Sequence, residues 1–507
     1  MEQDGRTRGE RSRVPGAVLG ACSLILPGAG QMLARRWVRG VLMLIIATAA
    51  GIGLVAYLRD QSLGSLAGDI VRREVLIGIF AANAAVFLLR AVCIVDAYRL
   101  GRRGSRLLQA GVLAALLALA AVPHAAVAYI DWDSYRTLSA VFPEEEPAEA
   151  DAAVPFAPDS AYETKQPAAA ITFEDTKGPI ETGPTISETA SARSTAAAFG
   201  TPLAALGTMA NRELLAAPWE RSGRLTVLML GGDRGPGRSG IRTDTMIVLS
   251  VNVKTKNAVL FSLPRNMWGV PLPPAAAARF GDTYDNLLNS LYPFALAHPE
   301  AFRGGRDPGA TALKQVIANL LGIRIDYYAL VDFGGFVDVI DALGGVDMNI
   351  PIAVLDRVSP ATPGGEWIRI DLKPGFQHLT ALQTFAYVRA RSQTSDYARI
   401  ARQRCVLAAI ADRANARTLL RNFRRLAATM RRSVGTDISL QSLPDIIELT
   451  AKMNTRRLVS IGFTPPTYTL EGNRPDIPRI RATVKSVIEH PPAAGTGGTF
   501  SGGVCGR

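Results

Sequence analysis

Residues 225–233 read Leu-Thr-Val-Leu-Met-Leu-Gly-Gly-Asp. A short apolar run closed by a glycine pair has the pattern of a buried strand. A Gly- and Arg-rich loop follows as far as Arg242-Thr243-Asp244, after which Thr245–Val253 reads as a second strand. Lys254–Asn257 looks like a turn, and Ala258–Leu263 like a third strand stopped at Pro264-Arg265. Beyond it, Gly309–Leu321 has helical spacing with a Gly322 stop. Tyr327–Val331 is a strand, Gly335–Leu343 a helix and Val346–Ile350 a strand again. Strands alternating with helices predict an α/β domain with a mixed central sheet flanked by helices. Its expected extent is 224–490.

Upstream of that domain the composition changes. The first 130 residues are largely apolar and punctuated by arginine. Val41–Tyr57, Val75–Val95 and Leu107–Ile130 are long enough to span a bilayer. A fourth stretch, Val18–Leu33, carries Pro27-Gly28-Ala29-Gly30-Gln31 and suits a re-entrant or interfacial hairpin better than a straight span. Arg6, Arg8, Arg11 and Arg13 precede it; Arg35, Arg36 and Arg39 follow it; Arg99, Arg102, Arg103 and Arg106 follow the second span. Three crossings place all three clusters in the cytoplasm and everything after Ile130 outside. If Val18–Leu33 also crosses, the C-terminal half is still exported. Arg90 lies near the cytoplasmic end of its span, where it can snorkel. Residues 131–223, rich in Ala, Pro, Thr and Glu from about Pro143, read as an extracytoplasmic disordered linker, and 491–507 as a disordered tail.

Net charge is +12, which raises nucleic acid, anionic lipid or a phosphorylated substrate as partners. Much of the excess flanks the membrane segments, and an exported half never meets the genome, so nucleic acid is not expected. Four cysteines give no disulfide framework, and Cys405 and Cys505 are too isolated in sequence to argue pairing. Four scattered histidines argue against a histidine-based zinc site, leaving a hard cation with oxygen ligands.

The chemistry falls at the joints. Asp233 closes one strand and Asp244 opens the next, so a hairpin-like return brings two carboxylates together, the usual provision for Mg²⁺ beside phosphate oxygens. Each Asp alone also reads as an ordinary loop or cap residue. Phe385–Arg391 (FAYVRAR) alternates like a strand, with Phe385, Tyr387, Arg389 and Arg391 on one side. Two arginines on one face repel unless an anion lies between them; a salt-bridged surface strand is the alternative, but no acidic residue accompanies them in the stretch. After Ser395 as N-cap, a helix sets Asp396, Arg399 and Gln403 on one face shared with Ile400, Leu407 and Ile410. An arginine on a packing face needs a partner. Convergence of Arg265, Arg389, Arg391 and Arg399 favours phosphate, with a structural ion-pair network as the alternative.

The ordered set Gly-Gly-Asp233, Arg242-Thr-Asp244-Thr, Leu-Pro-Arg265, Val-Asp-Phe-Gly-Gly-Phe336, Asp341-Ala-Leu-Gly-Gly-Val346, Tyr387-Val-Arg389-Ala-Arg391 and Asp396-Tyr-Ala-Arg399-Ile-Ala-Arg402-Gln403 resembles the LytR-CpsA-Psr family. The resemblance implies a bacterial membrane protein whose extracytoplasmic domain transfers a glycopolymer from a polyprenyl-pyrophosphate carrier to peptidoglycan. It implies that Asp233 and Asp244 bind Mg²⁺, with Mn²⁺ as an alternative. It assigns Arg242, Arg265, Arg389, Arg391, Arg399 and Gln403 to the phosphates, and Asp396 to an acidic position of the site. Asn266 stands where the family usually has Asp, so a base role there is lost. A single N-terminal helix is the family's usual anchor, against at least three here. A pyrophosphatase releasing the polymer to water, or a non-catalytic wall-binding or regulatory protein, are the competing expectations. For the carrier's lipid chain, Phe333–Ile340 and Val316–Leu321 are the candidate apolar linings.

Overall fold

Alternation along Arg224–Gly232 (β1) sends Leu228 and Leu230 into one hydrophobic cluster and Leu225 and Val227 into another. Both faces of the strand are covered, which is why its sequence is continuously apolar rather than alternating. The computed structural model describes residues 14–59, 66, 68–101, 106–144, 153–162, 218–233, 241–360, 365–391, 396–414, 416–453 and 458–491. The expected C-terminal tail, most of the expected linker, the interior of the Gly- and Arg-rich loop, Ser395, Cys505 and the first arginine cluster lie outside them.

The central sheet is mixed and six-stranded. β1 pairs antiparallel with Thr243–Asn252 (β2), which pairs antiparallel with Ala258–Leu263 (β3). Trp268–Pro271 (β4) and Thr283–Leu287 (β5) form a separate hairpin. Tyr327–Asp332 (β6) runs parallel to the other edge of β1. Val346–Ile350 (β7) pairs with Gly375–Leu379 (β10), and Val354–Val358 (β8) with Ile368–Leu372 (β9). Val434–Thr436 (β11) and Val459–Gly462 (β12) close the large sheet, giving the order β11-β6-β1-β2-β3-β12. The expected α/β architecture with a mixed central sheet is present.

Among the described residues the N-terminal region contains the helices Gly16–Ile25 (α1), Ala29–Leu33 (α2), Trp37–Arg59 (α3), Arg73–Leu100 (α4) and Arg106–Val141 (α5). Among the described residues, α4 and the 107–141 part of α5 are long and apolar enough to cross a membrane; the apolar part of α3, Trp37–Gly53, is shorter. The hairpin expected at Val18–Leu33 is a pair of short helices broken at Gly28, whose φ of 90° and 2.1 Å approach of its would-be Cβ to the Gly40 carbonyl admit only glycine. Gln31 ties the hairpin to α4. Its amide donates to the Cys93 carbonyl at 2.8 Å and to Asp96 at 3.2 Å, and its Oε1 accepts from Ser23 at 2.9 Å.

The stretch expected to be a linker from residue 131 begins as structure. α5 continues to Val141, because Leu138 and Phe142 are buried with Leu225, Ile438, Leu443 and Ile446 in one cluster. The Leu440 amide donates to the Pro143 carbonyl at 2.6 Å, and Arg72 pairs with Asp445 at 2.8 Å. Further on, Ala153 bridges Ile325, and Arg481 reaches Asp159 at 2.7 Å. The helical region is therefore packed on the α/β domain.

Four more helices position the site. Pro308–Leu321 (α6) begins at Asp307, whose carboxylate accepts from Ala310 N–H, and ends at Gly322 in the left-handed conformation. Phe333–Ala342 (α7) is capped by Asp332. Ala381–Arg389 (α8) carries a full capping box from Thr380 and Gln383. Asp396–Arg413 (α9) is the helix expected there. The strand expected at Phe385–Arg391 is thus the last turn of α8 and its exit. The capping box sets a 3.6-residue period that the chance alternation of apolar and charged residues had masked. Cys405 is disulfide-bonded, a pairing that spacing gave no ground to expect, while Cys22 and Cys93 are free.

Candidate active site at the strand ends

Tight glycine geometry builds the first edge of the site. A Cβ on Gly231 would lie 2.9 Å from Thr245 Cβ, and one on Gly232 would lie 2.7 Å from Ile241 Cγ2. The pair therefore lets β1 and β2 close together as the register shifts between Gly231 and Gly232. Asp233, 1% exposed, closes the loop by two bonds with one residue: its N–H donates to the Arg242 carbonyl at 2.9 Å, and its Oδ1 accepts from Arg242 N–H at 2.7 Å.

Asp244 opens β2 and faces the end of β3. Its Oδ1 accepts from Arg265 Nη1 at 2.8 Å and from Asn289 Nδ2 at 3.0 Å. Burial alone would push this carboxyl up. The Arg265 hydrogen bond and charge, the Asn289 amide and the Arg399 charge outweigh it and hold the group below the usual carboxylate range. Asp244 is therefore an anion at neutral pH. Asn289 was not foreseen; it lies in a short 3-10 turn, Leu288–Ser290, without a sequence pattern of its own.

The opposite wall comes from α7, α8 and α9. Phe385 and Arg389 are four apart on α8, so the guanidinium lies 5.1 Å from the Phe385 ring and 4.4 Å from that of Phe333 on α7. Arg389 Nη1 also donates to the Ser359 carbonyl at 2.9 Å. Arg391, just past the helix, is fixed through its backbone N–H to Asp356 at 2.6 Å. Arg399 is 3% exposed on α9, with Gln403 one turn on. Arg402, on the same helix, donates instead to the Ala390 carbonyl and lies over the Tyr387 ring at 5.7 Å, fastening the α8–α9 corner. Arg404 is buried on α9, where desolvation pushes it down to about 10.

These groups border one cavity of about 1070 Å³. Asp233, Arg242, Asp244, Arg265, Arg389, Arg391, Arg399 and Gln403 all line it, so eight of the nine residues singled out in the sequence meet there. The ninth, Asp396, starts α9, and its side chain lies outside the described residues. Apolar lining comes from Phe333, Phe336, Phe385, Val406 and Leu407, among others. The α7 part of the expected apolar lining is therefore in place. Val316–Leu321 is not: Val316, Ile317, Leu320 and Leu321 are core residues on the far side of the sheet, where α6 buries its apolar stripe. A wall formed by Asp356, Arg357, Val358, Ser359 and Trp367 was missed, because exposed β8–β9 residues carry no buried-strand signal.

As donors for a cation the residues suit a hard one. Two carboxylates from adjoining strands border the cavity, and one of them is held ionised. Among the described residues no three of His, Cys, Asp or Glu gather as a metal cluster. A cation here would complete its shell with water and substrate oxygens, the habit of Mg²⁺.

A sequence model of the LytR_cpsA_psr family matches residues 186–474. The polyisoprenyl-teichoic acid–peptidoglycan teichoic acid transferase TagV of Bacillus subtilis is 27% identical over 273 residues, covering 52% of this chain and 63% of the relative. The TagU transferase of Bacillus mycoides is 26% identical over 228 residues, covering 45% and 64%. The chain thus spans under two thirds of the length of these curated relatives. The crystal structure of Bacillus subtilis TagV aligns at 25% identity with a TM-score of 0.40, over 53% of this chain and 98% of that one. With more than half its residues matched by that family's model, the chain belongs to the LytR-CpsA-Psr family.

Proposed function

We propose that this protein transfers a glycopolymer from a polyprenyl-pyrophosphate carrier to peptidoglycan, making a phosphodiester link. One observation carries the reading: six arginines and four aspartates border a single cavity whose remaining lining is largely apolar. Guanidinium groups that outnumber the carboxylates around one cavity suit the oxygens of a pyrophosphate, and the apolar side suits a lipid carrier. The names of the TagV and TagU relatives support the same substrate class.

In this reading a wall-sugar hydroxyl attacks the glycan-linked phosphorus. Its bond to the bridging oxygen breaks, polyprenyl phosphate leaves, and the hydroxyl proton passes to solvent or the departing phosphate. Arg265, held by Asp244, and Arg399, held in the buried side of α9, meet the charge that develops on the phosphoryl oxygens. Arg389, fixed between two rings and a carbonyl, and Arg391, fixed at its backbone, grip the second phosphate. Arg242 and Gln403 add donors at the edges. Asp233 and Asp244 would hold Mg²⁺, which when bound supplies positive charge to the pyrophosphate.

The same reading places the α/β domain outside the bacterial cytoplasmic membrane, anchored by several spans. The two long apolar helices and the arginine clusters support it, as does a disulfide at Cys405, since such bonds persist in oxidising compartments. The test uses the full chain in detergent with a short polyprenyl-pyrophosphate-linked glycan and peptidoglycan fragments. Mg²⁺-dependent ligation that Arg265→Ala and Asp244→Ala each abolish is the expected result. Release of free glycan phosphate without ligation replaces the reading with a pyrophosphatase; glycan binding with neither product replaces it with a non-catalytic wall-binding role.

A further inference from the structure

One wall of the cavity holds phosphate-assigned arginines in place but has no substrate contact of its own in the reading above. It is the β8–β9 hairpin, where register pairs Arg357 with Arg369 and Val358 with Ile368. Trp367 immediately precedes β9 and lies on the same hairpin face as Arg357, whose guanidinium lies over its ring at 5.5 Å. Trp367 lines the cavity yet is 57% exposed, so it stands at the mouth. An indole left that open at the rim of a cavity is unfavourable unless something covers it. The cover has to be amphipathic, since the Arg357 guanidinium lies over the ring and the polar Asp356 and Ser359 line the same cavity.

We propose that Trp367 and Arg357 form a sugar-binding subsite at the cavity mouth that stacks a pyranoside ring next to the reacting phosphate. The axial C–H face of a pyranoside is apolar and its edge is hydroxylated, which matches an open indole with a guanidinium against it. Ser359 links the subsite to the phosphate grip, because its carbonyl accepts from Arg389. A sugar seated on Trp367 therefore lies beside the group assigned to the pyrophosphate. This inference rests on the transferase reading and adds what selects the glycan. The pyranoside belongs either to the donor or to the acceptor, and the experiment separates the two.

The full chain in detergent is titrated with three probes: polyprenyl pyrophosphate without sugar, the same carrier bearing one N-acetylhexosamine, and a peptidoglycan disaccharide. Binding to the unaltered protein is measured first, and failure of both carrier probes to bind would sink the transferase reading itself. Given that binding, Trp367→Ala is expected to weaken the sugar-bearing carrier about tenfold and leave the sugarless carrier unchanged, the size of one aromatic stacking contact. Trp367→Phe, which keeps a ring, restores most of the affinity, and Arg357→Ala gives a smaller loss with the same selectivity. Loss confined to the disaccharide supports the subsite and gives it to the acceptor. Equal loss for all three probes, or none for any, overturns the proposal. Should Trp367→Ala fold poorly, Trp367→Phe against Trp367→Leu makes the same comparison.

Discussion

Asp244 and Arg265 form an ion pair at 2.8 Å where β2 begins and β3 ends. The Asp244 carboxyl is held below its ordinary value, so its folded pKa is below its unfolded one. A depressed carboxylate contributes stability above its unfolded value, about 3.9, and that contribution is lost as pH falls through the folded value. Acid unfolding followed by fluorescence should therefore be shallower below pH of about 4 in Asp244→Asn than in the unaltered chain; identical curves would deny the ion pair. Arg389 offers a second test. Removing its sandwich with Phe333→Ala forfeits a cation–π contact of about 1 kcal/mol and leaves the guanidinium unaimed. Donor turnover should fall more than Tm does, and Arg389→Lys should not rescue it, since an ammonium neither stacks nor forks as a guanidinium does. Most of these residues were legible because charged groups at strand ends have no packing reason to be there. Asn289 and Trp367 were not, since a lone amide in a 3-10 turn and a single exposed indole have no period.

At the scale of elements, α8 shows where pattern reading goes astray. Phe385–Arg391 alternates over seven residues, yet Thr380 and Gln383 fix a helix upstream of it and carry it through Arg389. The sequence held the answer in that Thr-x-x-Gln box, which lies outside the alternating window. Both arginines still reach the cavity, because a helix end and its exit bring positions two apart to one opening. Thr380→Ala should cost roughly 1 kcal/mol, read as a lower denaturant midpoint with unchanged slope. A strand at this position would leave the midpoint where it was. By contrast β1, β2 and β3 were readable almost to the residue, because apolar runs cut by Gly or Pro leave little choice of boundary.

Across the whole molecule, the unforeseen feature is the packing of the membrane region on the α/β domain. Composition suggested a slack tether from residue 131, but Leu138 and Phe142 sit in the same cluster as the outer face of β1 and the 443–451 helix. Low-complexity sequence further along hid an amphipathic extension of α5. Leu138→Ala should destabilise the full chain by roughly 2–5 kcal/mol, as other buried leucines do, and should weaken the α/β domain rather than the anchor alone. Chain beginning at residue 224 should accordingly melt below the full protein; equal melting would mean that the contact carries no stability. Docking of this kind also holds the cavity-bearing domain against the helical region.

The central claim is that the arginine-lined cavity moves a glycan-linked phosphoryl group onto the wall. A donor labelled with radioactive phosphorus at the sugar-proximal position tests this most directly, using the full chain, Mg²⁺ and insoluble peptidoglycan. Label retained on peptidoglycan after washing, released only by phosphodiester cleavage and absent with Arg265→Ala, is the expected result. Label found instead in free glycan phosphate or left on the lipid carrier would contradict the account.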